Sequence, residues 1–389
     1  MHCRIIDSMD ELAALEPEWQ ALRSRSATDN PFVSPDWLLP WWATYASEHD
    51  RLHVVVARSA PESSLVGVLP LYVQRASRPL PHRRLRLLGD EHIGSTRLGC
   101  LADRAAAEAT HQALVDGLVS NGDGWDVLDL RCMDERDPFF PLLLERAAVR
   151  AQVRLEPSGY APFADLPPTW DEYVASLGRD LRKQVRRDRK RLEGAGTVEI
   201  EWIDDPDAVP EAVADVVRLF EHNMRRRFGP GFEASDTYRR FLADVISRFF
   251  GRGQLRLLFL RLDGARIAFQ LGFRVRETTY AYQTGFDEDW GHLGVGVIAA
   301  TYSIERAIAD KSTCLDWGPG TGPDKSRWGN GGEREVRYAR VYASSLAGAL
   351  IDHYDGAALW SRAVAKRALP DPVRERLRRL TRKRTLSKL

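Results

Sequence analysis

The sequence predicts an α/β fold of two tandem units, each a twisted mixed sheet flanked by helices. Three observations predict it. Helical and strand periodicities alternate along the chain, the pattern of layered α/β folds. The 389 residues, 44% of them hydrophobic, suffice for two cores. The halves also run in similar order: a helical opening, a hairpin, a strand and helix, then a strand carrying an aspartate. Leu65–Tyr72 echoes Arg266–Gly272, and Trp125–Asp129 echoes Cys314–Trp317, a weak internal duplication of one α/β unit.

The first half opens with a strand at Arg4–Ile6. A helix capped at Ser8 or Asp10 carries Leu12, Leu15, Trp19 and Leu22 near helical spacing. A second helix follows the proline-bounded loop 30–35 and holds Trp37, Leu38, Trp41 and Trp42. Residues 52–58 and 65–73 read as a hairpin, 85–89 as a strand and 94–101 as loop or strand. A helix at 105–121, a strand at 125–130 and a helix at 142–151 complete a unit spanning 1–160.

The second unit is expected over 161–350. Thr169 and Glu172 form a capping box, and the helix it starts breaks at Ser176–Gly178. Residues 179–193 form an arginine-rich helix with the apolar stripe Leu181, Val185 and Leu192, stopped by Gly194 and Gly196. A strand at 198–203, helices at 210–228 and 236–250, and strands at 255–262 and 265–275 follow. Asp263-Gly264 between those strands is a strong hairpin signal. A last strand is expected at 336–343. Residues 351–389 form a basic helical tail, whose end (370–389) reads as an amphipathic helix or a loosely ordered arm.

The chain is organised around residues 278–332. A β-type run at 278–284 leads through a turn-rich loop into His292-Leu-Gly-Val-Gly296, then a helix over 297–309, a short apolar strand at 314–317 and a loop dense in Gly and Pro. This order builds an anion site at a helix N-terminus, because first-turn N–H groups and the helix dipole point at one spot. The plain alternative is that Gly294 and Gly296 only turn a corner.

Composition narrows the class. Net charge is +1, so attraction to nucleic acid or membrane must be local. Cys3, Cys100, Cys132 and Cys314 show no metal or disulfide spacing, and the nine histidines form no ligand cluster, so no metal is expected. No basic-then-apolar leader and no membrane-length apolar run is visible, which leads to the expectation of a cytoplasmic protein. HExxH, P-loop, GxSxG and post-strand GxGxxG motifs are absent.

Four stretches carry a family resemblance: SLGRDLRKQVRRDRKRLEGAG, LFLRLDGARIAFQLGF, YAYQTGFDEDWGHLGVGV and LDWGPGTGPDKSRWG. With the N-terminal EWQALRSRSATDNPFVSPDWLLPWW, they make the chain resemble the GNAT superfamily of N-acyltransferases. The likeness is to the CelD-like branch associated with polysaccharide and cellulose operons, which is similar to the Fem-type aminoacyl transferases of cell-wall synthesis. The resemblance implies two GNAT-like domains, the first degenerate, and acetyl-CoA or another acyl-CoA as co-substrate. Superfamily members hold the CoA pyrophosphate with a Q/R-x-x-G-x-G/A loop. The matching stretch here is Gly291-His-Leu-Gly294-Val-Gly296, so Leu293, Gly294, Val295, Gly296 and Val297 are the expected cofactor-binding residues. Gly291 replaces the usual Gln or Arg.

Acyl transfer to an amine needs a base and a polarised thioester carbonyl. Asp316 at a strand end, or Glu221 or His222 on the preceding helix, are candidate bases. Each also has a plain reading: Asp316 as a loop tie, His222 as a surface residue. Tyr282 and Gln283 can orient substrate or stabilise the oxyanion, or simply pack. Lys325 can pair with a phosphate or carboxylate, and the family resemblance favours that over a solvated loop lysine. Trp328 can stack on a flat ring or plug the core. Arg179, Arg182, Arg186 and Lys190 share one helix face, which is either solvated or meets the phosphates of CoA or a tRNA acceptor arm, or an acidic glycan. Arg225–Arg227 add to the positive field.

Three functions compete. The first is an acyl-CoA-dependent N-acyltransferase whose small-molecule or glycan amine acceptor sits between the halves. The second is a Fem-like, aminoacyl-tRNA-dependent transferase. The third is a non-catalytic binding module. The basic tail adds a possible peripheral membrane contact.

Overall fold

The computed structural model describes residues 1–90, 93–120, 124–134, 136–149, 151–229, 231–319 and 323–368. The predicted tail end at 370–389 lies outside them, as do Gly320–Gly322 and the side chains of Arg226 and Arg227. The chain divides into two compact units. One comprises Met1–Ser158 together with the chain from Glu335 onward, and the other is Gly159–Arg334.

The first unit begins with β1 (His2–Ile6), α1 (Met9–Ala14), α2 (Glu16–Arg25) and α3 (Pro35–Tyr45). Then come β2 (Arg51–Leu52), β3 (Val54–Arg58), β4 (Leu65–Leu69), β5 (Leu71–Ala76), β6 (His82–Leu87), β7 (Leu101–Ala102), α4 (Ala107–Ser120), β8 (Val127–Asp134) and α5 (Phe139–Ala148). The predicted hairpin forms as β3 against β4 in antiparallel register. The expected single strand 65–73 is cut at Pro70, which has no N–H for a ladder. Its two pieces join different sheets: β4 lies in β1-β3-β4-β7, and β5 pairs with β2 and β6.

The second unit opens in β9 (Gln152–Asp165), a strand that Pro157, Gly159 and Pro162 disguise as loop in the sequence. Next are α6 (Trp170–Ser176), capped by the Thr169 hydroxyl accepting from the Glu172 amide, and α7 (Arg179–Glu193). They are followed by β10 (Val198–Trp202), α8 (Val209–Phe228), α9 (Asp236–Gly251), β11 (Leu255–Leu262), β12 (Ala265–Val275), β13 (Thr278–Phe286), α10 (Val295–Ala309), β14 (Cys314–Asp316) and α11 (Pro323–Ser326). Strand order is β10-β11-β12-β13-β14-β9, antiparallel except for β13 beside β14. Asp263 and Gly264 both have positive φ, the type I′ geometry their sequence demands.

The chain ends with β15 (Gly332–Tyr342) and α12 (Leu346–Ala368). Residues 335–350 therefore group with the first unit, not with the second as the sequence boundary at 350 has it. The reason is register: Val336–Tyr342 of β15 pairs antiparallel with Val127–Asp134 of β8. Both units contain a parallel pair among the described residues, β6–β8 and β13–β14, with a helix (α4 or α10) in the crossover, so the duplication extends to topology.

Helix α10 centres the second core. Ile304, Ala307 and Ile308 pack with Tyr173, Leu181, Leu315 and Trp328. Val295, Ile298 and Ala299 pack with Leu192, Leu258, Leu260 and Ile267. Each large side chain buried here contributes about 1.5–3 kcal/mol. In the first unit, residues that show no ligand spacing in sequence are brought together: Cys100, His111 and Asp137 are buried with donor atoms within 4.8 Å of one another. No helix among the described residues is long and apolar enough to cross a membrane.

Candidate active site

Four local devices shape the second unit's site. The first is a bulge. Leu271 pairs with Gln283 and Gly272 with Ala281, so Tyr282 is an extra residue that bends β13. Gly272 is required there, because a Cβ would lie 2.6 Å from the Tyr280 carbonyl oxygen.

The second device is a parallel pair that stops early. β13 and β14 pair only from Thr278–Cys314 to Tyr280–Asp316. β13 runs on to Phe286, while Gly318 (φ +65) turns the chain away near the Ala281 carbonyl. Beyond Ala281, no strand among the described residues covers that edge of β13, and an uncovered edge offers N–H and C=O groups to an extended ligand.

The third device is a close helix. A Cβ on Gly285 would fall 2.8 Å from the Leu219 carbonyl oxygen, so glycine alone lets α8 approach β13 this tightly. One turn beyond Leu219, the Nδ1 of His222 lies 3.4 Å from Oδ1 of Asp287, just past the end of β13. Asp287 also caps the following turn by accepting from the Asp289 amide. An aspartate on Nδ1 orients an imidazole and leaves Nε2 as its working nitrogen.

The fourth is the glycine turn itself. Gly294 adopts the left-handed conformation (φ 74°) and starts α10. The Gly294 and Val297 amides already donate to the Gly291 and Gly294 carbonyls. Of the five residues expected to present amides to a phosphate, Val295 and Gly296 at the first helical positions are the ones whose amides have no intrahelical acceptor. Leu293 and Val295 are buried in the core, and Val297 packs against it. The turn also faces a carboxylate. A Cβ on Gly294 would stand 2.5 Å from Oδ2 of Asp188, a buried residue of α7.

Two guanidinium groups offset that charge. The Arg187 Nε is 3.3 Å from Asp188 Oδ1 and the Arg191 Nη1 is 3.8 Å from it, while Arg191 also donates to the His292 carbonyl at 2.8 Å. Arg191 of α7 thus brings a guanidinium to the turn in which Gly291 has no side chain. The sequence reading takes Asp188 only as partial compensation for the basic helix face and does not single out Arg187 or Arg191. The available signal was Asp188 standing within the apolar stripe of α7, at helical spacing from Val185 and Leu192.

The remaining candidates sort differently. Asp316 is buried, its Oδ1 accepts from the Gly318 amide at 2.8 Å, and Oδ2 lies 3.8 Å from Arg334, whose guanidinium stacks on Phe163. It ties the turn after β14, and His222 takes its place as candidate base. Glu221 is committed to the Ala234 amide, Arg225 and Arg239. Gln283 accepts from the Tyr238 hydroxyl at 2.7 Å, which presents its NH2 end as a donor. Tyr282 leans on Phe273 with ring centroids 5.9 Å apart.

Lys325 donates to the Trp317 and Pro319 carbonyls and so braces its own loop. Trp328 is buried among Tyr173, Leu181 and Trp317 and offers no face for stacking, a correction to its expected substrate role. Among the described residues Arg179, Arg182 and Arg186 form no ion pair; Arg179 and Arg186 are exposed and Arg182 half-buried.

Comparison with known proteins bears on the fold. By structure the chain is similar to FemX, with a TM-score of 0.60 at 11% identity over 90% of this chain and 99% of that one. It is similar to the C-terminal domain of a putative lysylphosphatidylglycerol synthetase from Agrobacterium fabrum, with a TM-score of 0.52, 12% identity and coverage of 89% and 96%. It is also similar to L-PGS from Bacillus licheniformis, with a TM-score of 0.51, 11% identity and coverage of 86% and 94%. At these identities the likeness is one of fold. No curated protein matches by sequence. Residues 179–326, the stretch that builds the site, match the family model described as acetyltransferase (GNAT) domain.

Proposed function

We propose that the second unit is an N-acyltransferase that moves an acyl group from acyl-CoA to an amine, as expected of a CelD-like member. One observation carries the reading: β13 loses its parallel partner at Tyr280 and exposes its edge between the helix bearing His222 and the start of α10. An acyl donor with amides along an extended arm suits such an edge. Its phosphates fit the Val295 and Gly296 amides with Arg187 and Arg191 beside them.

In that arrangement His222 takes the proton of the attacking amine through Nε2 as the N–C bond forms, and the C–S bond then breaks to release CoA, whose sulfur receives the proton from the His222 imidazolium. Asp287 holds the ring and stabilises the cation that forms. The Gln283 NH2 donates toward the oxygen that gains charge in the tetrahedral intermediate.

The row Arg179, Arg182 and Arg186 favours one alternative, an aminoacyl-tRNA donor as in Fem-type transferases. Its polyanionic arm would use a cationic helix face that CoA alone leaves idle. Calorimetric titration of acetyl-CoA and of CoA into wild type and an Arg191→Ala variant decides between them. Micromolar binding weakened about tenfold in the variant supports the acyl-CoA reading. No binding of either ligand, with salt-sensitive binding of tRNA that Arg182→Ala plus Arg186→Ala weakens, overturns it.

A further inference from the structure

Helix α12 is built inside out for a helix exposed to water. Its acidic residues face the protein: Asp352 meets Arg154 at 2.5 Å, and Asp355 meets Arg340 at 2.7 Å and the Tyr342 hydroxyl at 2.9 Å. Ile351 is fully buried against Val127 and Tyr342. The outward face instead shows Leu346 at 79% exposure, Leu350 at 50%, Tyr354 at 51% and Trp360 at 70%. These positions recur at helical spacing, with Ala349, His353 and Ala357 also exposed among them, and among described side chains from 346 to 361 no Asp, Glu, Lys or Arg is exposed on this face. A contiguous apolar stripe of this kind marks an interaction surface.

The sequence that follows indicates what the surface meets. Residues 362–389 contain eleven Lys and Arg against two Asp and Glu, a net +9 in a chain whose total is +1. The rest of the chain therefore carries a net −8, and the positive charge is concentrated in the segment that follows the stripe in sequence. We propose that α12 docks on an anionic lipid bilayer, with Leu346, Leu350, Tyr354 and Trp360 entering the headgroup boundary and the basic segment pairing with lipid phosphates. Leu, Tyr and Trp are the side chains that partition to this depth, and clustered Lys and Arg concentrate at anionic headgroups. A second copy is disfavoured as occupant because it would bring another +9 segment to the same contact. This inference does not depend on the acyl-transfer reading.

The test is co-sedimentation of the full chain with phosphatidylcholine vesicles and with vesicles that also contain phosphatidylglycerol, at low and high salt. The expected result is binding to the anionic vesicles alone, lost at high salt. It should weaken about tenfold or more in Leu350→Glu plus Trp360→Glu and in Arg378→Glu plus Arg379→Glu. Circular dichroism checks folding, and Leu350→Ser plus Trp360→Ser replaces the first pair should the glutamates unfold it. Absence of wild-type binding overturns the proposal, as does binding untouched by the α12 substitutions. A dimer on sizing that the α12 substitutions dissolve, without any vesicle binding, assigns the face to a second copy and equally overturns it.

Discussion

The meeting of Gly294 with Asp188 can be measured by a double-mutant cycle. Gly294 sits at φ 74°, where an alanine costs about 1–2 kcal/mol from backbone strain alone. The added Cβ would also stand 2.5 Å from the Asp188 carboxylate, which is buried and held by Arg187 and Arg191, so the carboxylate must move. Overpacking of this kind costs about 1–3 kcal/mol more. Gly294→Ala should therefore destabilise by about 3 kcal/mol in the wild-type background. In an Asp188→Gly background the clash, which includes a 2.9 Å contact with the Asp188 Cβ, is gone, only the backbone strain remains, and the same substitution should cost about 1 kcal/mol. The expected coupling is about 2 kcal/mol, well above the error of a cycle. The assay is urea unfolding followed by tryptophan fluorescence, read on the transition that the variants shift. Equal cost of Gly294→Ala in both backgrounds would refute the reasoning, since it would mean that the carboxylate does not close on the glycine.

Three further outcomes are expected. His222→Gln should lower kcat by about 10²–10⁴ with little change in donor KM; an unchanged kcat and an unchanged acid limb of the pH–rate profile would remove His222 as base. Asp188→Asn should tighten binding of an anionic donor roughly fivefold by removing about 1 kcal/mol of repulsion, a low value because two arginines already screen the carboxylate; calorimetry reads it, and weaker binding would place the phosphates elsewhere. Burial pushes the Asp137 carboxyl up to about 6, so between its unfolded value near 4 and that point the folded chain holds the extra proton, and stability falls as pH rises through the window and is level above it. Asp137→Asn, which keeps an acceptor for the Phe139 amide, should abolish that fall of about 2–3 kcal/mol, and an identical pH slope in thermal melts of both proteins would count against the burial argument.

Local chemistry written within a few residues was legible in the sequence. The Thr169 cap, the Asp263-Gly264 turn, the stripe of α7 and the glycine turn before α10 each depend on near neighbours, so their residue types report their local structure. The α/β class with its doubled topology follows from periodicity in the same way. Tertiary structure decided what depends on partners distant in sequence. Pro70 reads as a strand residue until two sheets compete for its flanks, and β9 reads as loop until neighbouring strands pair with it. Trp328 is ambiguous between core and ligand until Tyr173 and Trp317 surround it. Asp188 and Arg191 reach the glycine turn, and His222 reaches Asp287, across separations of 65 to 106 residues. Charge and hydrogen bonding act through space, so the groups that set a site's electrostatics are named only when the fold brings them together.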